Sequence, residues 1–296
     1  MTIHIGLAGW GDHDSLYPRG TKAGDKLKVY AEHFRTVEVD STFYAIQSQE
    51  RFAAWVGSTP DTLHFVVKAY QGMTGHQRGD APGDQELDAM TAAFCRMLEP
   101  AREAGRLTAA LFQYPPWFDC TSGNVLLLRE MKRRMSGFPC ALEFRHQSWF
   151  EGGMREKTLA FMQKEGWIHS ICDEPQAGVG SVPTVLAPTD KEATIVRMHG
   201  RNESGWNSGG KPNWREVRYL YRYSEDELRE WADKLTQLER LSGTVSVIFN
   251  NNSGGDAADN AKQLMRLLGL KRPDGEEPKV GRADDEPPDV EQLELF

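Results

Sequence analysis

Eight short apolar stretches recur along the chain, each separated from the next by a longer segment, and this alternation constrains the fold more than any single motif. The stretches are IHIGLAG (3–9), TVEVD (36–40), LHFVVKA (63–69), LTAALFQ (107–113), CALEFR (140–145), WIHSICD (167–173), ATIVRMH (193–199) and TVSVIFN (244–250). Helical patterns occupy 25–34, 49–56, 84–104, 123–136, 153–165, 224–241 and 256–269, several opened by Asp, Ser or Thr at an N-cap position. The connection near 175–190 contains Pro and Gly and reads as irregular. Strands alternating with helical returns predict a parallel sheet, and eight of them predict an α/β fold of the TIM type, a (β/α)8 barrel over residues 1–270. An open doubly wound sheet would carry a Gly-rich phosphate loop after its first strand. GLAGWG has neither that spacing nor a following helix.

The chain has 296 residues, of which 39% are hydrophobic, enough for a sizeable core. No apolar run approaches the roughly 20 residues that cross a bilayer, and MTIHIGLAGW lacks the order of a secretory signal. The expectation is a cytoplasmic protein without a membrane partner. Cysteines 95, 120, 140 and 172 are widely spaced, with no Cys-x-x-Cys and no local metal-ligand pattern. Neither a metal nor a cofactor is expected. Residues 271–296 hold four basic and nine acidic side chains, so this tail supplies most of the formal net charge of −8. A nearly balanced body argues neither for nor against nucleic acid, because a groove needs a local basic patch. The stretch KRPDGEEPKVGRADDEPPDV is acidic and Pro-rich, and residues 271–291 are expected to form a disordered linker.

Strand side chains alternate faces, so positions two apart share one. Glu143 and Arg145 therefore share a face, with Leu142 and Phe144 on the other, toward the helices. The same rule pairs Glu38 with Asp40 and Arg197 with His199. Other strands end in Lys68, Gln113, Asp173 and Asn250. A barrel brings these ends to one rim, where enzymes of this architecture keep their sites. Carboxylates beside Lys and Arg suit acid–base work on an anionic substrate, with Lys68, Arg145 and Arg197 holding phosphate and Glu143 or Glu38 as general base. Trp10, Tyr44 and Trp149 are candidate stacking walls. The bland alternative is a network of buried salt bridges that fills the barrel without chemistry. A metal site built in space from His146 or His199 with Asp40, Asp173 or Glu143 is announced by no local spacing.

The return after the seventh strand, RNESGWNSGGKPNWREVRYLYRY (201–223), holds Arg201, Lys211, Arg215, Arg218 and Arg222 interleaved with Trp206, Trp214, Tyr219, Tyr221 and Tyr223. Such a loop suits a single-stranded or flipped nucleotide, or its second half simply covers the barrel.

The motifs GLAGW, VEVDSTFY, FVVKA, LFQYPPWF, ALEFRHQSWF, IVRMHGR and FNNNSGGDAADNAKQL, in this order and spacing, resemble the domain of unknown function 72 family, also called YecE-like. The resemblance spans about residues 3–270 and implies a TIM-barrel-like fold without an established reaction. It implies that Glu38, Tyr44, Lys68, Gln113, Glu143, Arg145, His146, Trp149, Asp173, Arg197, His199, Asn250 and Asn251 occupy the family's motif positions. One departure is YQGMTGH, where Gly75 separates Thr74 from His76 and the family has a more compact Thr-His pair.

The chain closes on QLELF: Gln292, Leu293, Glu294, Leu295 and Phe296. This pentapeptide resembles the bacterial sliding-clamp-binding motif Gln-Leu-x-Leu-Phe, which implies docking of Leu293, Leu295 and Phe296 in apolar pockets and hydrogen bonding of Gln292. The sequence thus points to an enzyme, of hydrolase or phosphodiesterase type, acting on a phosphate-containing or nucleic-acid substrate and recruited to DNA by the clamp. The rival readings are a small-molecule isomerase, lyase or hydrolase acting on a sugar or carboxylate, and a noncatalytic adaptor.

Overall fold

A computed structural model describes residues 2–77, 81–206 and 217–281. Eight strands close into a parallel barrel in sequence order, β1 pairing with β8 as well as with β2. They are β1 (Thr2–Ala8), β2 (Thr36–Val39), β3 (His64–Lys68), β4 (Leu107–Gln113), β5 (Cys140–Glu143), β6 (Trp167–Asp173), β7 (Ala193–Met198) and β8 (Thr244–Phe249). The expected fold class is the observed one.

The helices among the described residues are α1 (Lys26–His33), α2 (Gln49–Gly57), α3 (Asp84–Glu103), α4 (Ser122–Arg134), α5 (Met154–Glu165), the single turn α6 (Glu203–Trp206), α7 (Glu225–Glu239) and α8 (Ala257–Leu267). Three of them carry the side-chain caps expected of Ser and Thr, while α3 and α5 have Gly83 and Gly153 at the N-cap and the Asp25 and Asp256 side chains make no capping bond. Ser48 and Thr121 accept from Arg51 and Asn124, and Ser224 forms a reciprocal capping box with Glu227. Between β6 and β7 the chain runs without a helix, as its Pro and Gly content predicts.

The outward faces of the strands meet the helices in one large core that includes Phe65, Phe112, Leu142, Phe144, Trp167 and Trp231. The inward faces form a second, smaller apolar layer of Ala8, Val66, Ala109, Leu111, Ala141, Ile168, Ile195 and Ile248. This layer fills the barrel from wall to wall, so the polar residues that follow on the same faces are lifted to the C-terminal mouth. Gly6 lets β1 and β2 close: a Cβ there would meet the Thr36 carbonyl oxygen at 1.9 Å.

Residues 271–281 differ from the linker expected for them. Pro278 is buried, its carbonyl accepts from Arg266 Nε at 2.6 Å, and Gly281 N donates to Asp259 Oδ1 at 3.2 Å. Arg266 and Asp259 both belong to α8, which supplies these partners at the surface of the barrel. The rest of the expected linker, 282–291, and the QLELF residues lie outside the described residues. None of the helices described is long and apolar enough to cross a membrane.

Candidate functional site

The inward residues at the C-terminal strand ends meet in one connected charge network. Arg197 of β7 binds Glu38 of β2 through two bonds, Nε to Oε2 at 2.8 Å and Nη2 to Oε1 at 2.6 Å. Its remaining nitrogen, Nη1, donates to Glu143 of β5 at 2.9 and 2.8 Å. Arg145, two residues beyond Glu143, lies 2.9 Å from Glu143 Oε1 through Nε and reaches Glu174 Oε2 at 2.5 Å through Nη1. Its third nitrogen sits 3.1 Å from His199 Nε2. Ser170 of β6 donates to Glu143 Oε2 at 3.1 Å, and the Asn250 amide lies 3.1 Å from His199 Nδ1. Gln113 Oε1 approaches Arg197 at 3.4 Å.

Three carboxylates, those of Glu38, Glu143 and Glu174, thus share two guanidiniums, and all five groups are buried. Two directly bound guanidiniums leave one of the three carboxylates without its own cation, while Arg218 and Lys68 lower Glu174 and Glu38 from farther off, so the network has room for one proton near neutral pH. Burial pushes Glu174 up to about 7, and Arg145 opposes without cancelling it. Burial likewise pushes Glu38 up to about 7 against the pull of Arg197. Glu143 goes the other way: burial raises it, but Arg197 and Arg145 together hold it well below the ordinary carboxylate range. His199, buried beside both arginines, is held neutral.

Glu143, Cys172 and His199 bring possible ligand atoms within 4.8 Å of one another. This set fits a cation poorly. The atoms that would bind it already face Arg197 and Arg145, and burial raises the Cys172 thiol well above its ordinary range. We assign it no metal.

Above this floor lies the rim. Lys68 Nζ sits 3.6 Å from Asp40 Oδ1 and 4.8 Å over the Phe43 ring. Both charged side chains reach solvent, at 16% and 34% exposure. His146 stands half-buried at the turn after β5, where its Nδ1 accepts from Ser148 N at 3.2 Å. Tyr44 is exposed on the turn after β2.

Other sequence candidates lie elsewhere. Trp149 is 1% exposed, stacks on Phe144 at 3.9 Å and donates its indole N–H to Phe118 O, which puts it in the outer core instead of the mouth. Trp10 turns its ring edge-on to Trp55 of α2. Asp173 points away from the barrel axis, bound by Arg201 at 3.0 Å and by the Tyr223 hydroxyl at 2.7 Å. Asn251 is also turned outward, donating to Tyr221 O and Asn260 Oδ1.

The missed residue of most consequence is Glu174. Cys172 and Glu174 share the inward face of β6 with Ser170, so the same alternation that selected Glu143 and Arg145 selects Glu174 and rejects Asp173. Trp206, one of the aromatics of the 201–223 return, reaches the mouth. It is buried with Arg145 5.2 Å and Arg218 4.3 Å from its ring, closing the network from above. Asn202 Nδ2 donates to Val217 O at 2.8 Å, which ties the two described ends of the 201–223 return together. Lys211, Trp214 and Arg215 of that return lie outside the described residues.

Fold and site together define the class: a TIM-type barrel protein with a sealed, charge-paired floor beneath an open polar rim. The chain belongs to the family described as protein of unknown function DUF72, whose model matches residues 4–282. It is 56% identical over 271 residues to the UPF0759 protein YunF of Bacillus subtilis (strain 168), covering 91% of this chain and 95% of that one. It is 28% identical over 159 residues to the UPF0759 protein YecE of Escherichia coli (strain K12), about half of each chain at 53%. Among solved structures, a DUF72 family protein from Enterococcus faecalis V583 superposes with a TM-score of 0.84 at 33% identity, covering 91% of this chain and 96% of that one. Another from Thermotoga maritima MSB8 superposes with a TM-score of 0.77 at 30% identity, covering 91% and 100%.

Proposed function

We propose that the barrel mouth performs acid–base chemistry on a phosphate-containing or nucleic-acid substrate, and that the QLELF segment recruits the chain to a sliding clamp on DNA. The observation that carries the catalytic part is the surplus of buried carboxylates over directly bound guanidiniums in the floor of the C-terminal mouth. A network built only for stability would be matched in charge or replaced by apolar packing, because desolvating an unmatched carboxylate is costly. Burial chiefly pushes Glu38 and Glu174 up to about 7, where a proton is taken up or released at little cost.

Roles follow from which donors are already used. Arg197 spends all its nitrogens on Glu38 and Glu143, so it orients carboxylates and does not hold substrate. Arg145 spends Nη1 on Glu174 and Nη2 on His199, and its Nε, buried 2.9 Å from Glu143, pairs with that carboxylate by charge without a hydrogen bond. Lys68, with Gln113 and His146 beside the opening, is the cation that meets an incoming phosphate. Glu38 is the proton carrier nearest to it, on the same face of β2 as Asp40. Glu143 stays ionised and fixes both arginines.

Titration of the full chain with a 5′-phosphorylated oligonucleotide and with inorganic phosphate tests this reading. Wild type binds, and Lys68→Ala weakens binding about tenfold, or about 1.4 kcal/mol. An unchanged affinity clears Lys68, and no binding by wild type removes the substrate class. For the clamp, Phe296→Ala abolishes binding of the full chain to the clamp. Equal binding by wild type and the variant ends the recruitment proposal.

A further inference from the structure

Four rings run edge to face along one sector of the rim. Tyr44 meets Phe43 at 5.2 Å and 90°, Phe43 meets His76 at 5.1 Å and 80°, and His76 meets Trp117 at 6.0 Å and 64°. They come from the loops after β2, β3 and β4, three neighbouring strands. The two ends of the run face water, Trp117 at 68% exposure and Tyr44 at 58%. A single exposed aromatic is unremarkable. Here two largely exposed rings end one continuous run at the mouth of a barrel.

The run is also held rigid. Thr42 Oγ1 donates to Val39 O at 2.8 Å and lies 2.7 Å from Lys68 O, pinning the Phe43–Tyr44 turn to the end of β3. Pro115 and Pro116 restrict the backbone before Trp117, and Phe118 N closes a turn on Pro115 O at 2.9 Å. Gly75, at φ +72°, folds the chain back so that Thr74 Oγ1 meets His76 Nδ1 at 2.9 Å. Gly75 thus brings Thr74 and His76, separated in sequence, into contact in space. Burial and the nearby Lys68 and Arg145 charges lower His76 to about 4, so it presents a neutral ring.

We infer that Phe43, Tyr44, His76 and Trp117 form a stacking subsite for a nucleobase, with Lys68 and Asp40 beside it to meet the polar edge of the base and the adjoining phosphate. This rests on the phosphate-bearing substrate proposed above and specifies what that phosphate is attached to. An apolar face with a polar edge is what the sector complements: rings across its length, and one cation and one carboxylate along its inner side.

The test compares binding of a short oligothymidylate with that of a base-free deoxyribose-phosphate strand of equal length, using the full chain at low salt. Trp117→Ala and Tyr44→Ala are measured alongside, and both exposed positions permit the change without disturbing the core. The thymidylate binds more tightly than the base-free strand. Each variant loses about 5- to 150-fold in affinity for thymidylate and nothing for the base-free strand. Equal wild-type affinities for the two strands, or unaltered thymidylate binding by both variants, overturn the subsite and leave the phosphate reading standing. Failure of both strands to bind overturns the phosphate reading and the subsite with it. Quenching of tryptophan emission by a neutral hexose alone, abolished in Trp117→Ala, replaces the base with a sugar and overturns the assignment.

Discussion

The floor and the rim of the barrel mouth lie a few residues apart on the same strands, yet they obey opposite rules. On β2, Glu38 is sealed with both oxygens on Arg197, while Asp40, two residues on, reaches solvent beside Lys68. In the floor every charge is desolvated, so removing one partner strands another. On the rim water screens each charge, and the same loss costs little. The difference teaches where to look for binding and where to look for proton handling: the saturated groups set geometry and proton affinity, and the exposed ones meet the ligand.

The largest expected effect comes from Arg197→Met, which strands Glu38 and Glu143 together. A destabilisation of about 3–5 kcal/mol is expected by urea denaturation. Lys68→Ala, its rim counterpart, costs under about 1 kcal/mol. Similar losses at both positions would erase the distinction between the two layers. Glu143→Gln is intermediate at about 1.5–3 kcal/mol, because it keeps the shape but weakens charge-assisted bonds to two arginines.

The pH dependence sharpens the comparison. His4, His13, His33, His64, His76, His169 and His199 are lowered chiefly by burial, so at these groups the unfolded chain binds more protons below 6.5 and their contribution to stability rises with pH up to that point. Glu38 and Glu174 act in reverse. Their raised values make the folded state the better proton binder between the ordinary glutamate value of 4.5 and about 7, so their contribution falls as pH rises through that window. Glu174→Gln removes one of these opposing contributions. Its stability relative to wild type should climb from pH 4.5 to 7 by at most about 1.4 kcal/mol per unit, as measured by denaturant melts at each pH. The smallest effect is that of Trp117→Ala, within about 0.5 kcal/mol in thermal melts, as befits a side chain kept for contact with something else.

Much of this arrangement is legible in the sequence because strand periodicity is exact while loop geometry is not. Apolar strand bodies with polar ends announce the barrel and place Glu38, Lys68, Gln113, Glu143, Arg145, Arg197, His199 and Asn250 at its mouth. Asp173 was chosen as the last polar residue of a strand without carrying the alternation through, and Asn251, taken from the family resemblance, follows the strand end Asn250 by one residue. One step along the chain turns a side chain from the axis to the helices. Trp149 and Trp10 were misread because an aromatic beside a polar motif can serve the core as easily as a ligand. Trp117 and His76 escaped because their positions depend on a Pro-Pro turn and a left-handed glycine, which no periodicity encodes. Residues 271–281 read as linker from composition alone, yet one buried proline and two hydrogen bonds anchor them on α8.

The central claim is that the floor holds one more buried carboxylate than directly bound guanidiniums and keeps a proton near neutral pH. Carbon-13 NMR of the glutamate carboxyl groups in the full chain, followed across pH and assigned with Glu38→Gln and Glu174→Gln, tests it most directly. The account predicts a carboxyl that titrates near 7 and is lost or shifted in those variants, with Glu143 ionised throughout. Glutamate carboxyls that are all fully ionised by pH 5.5 would contradict it.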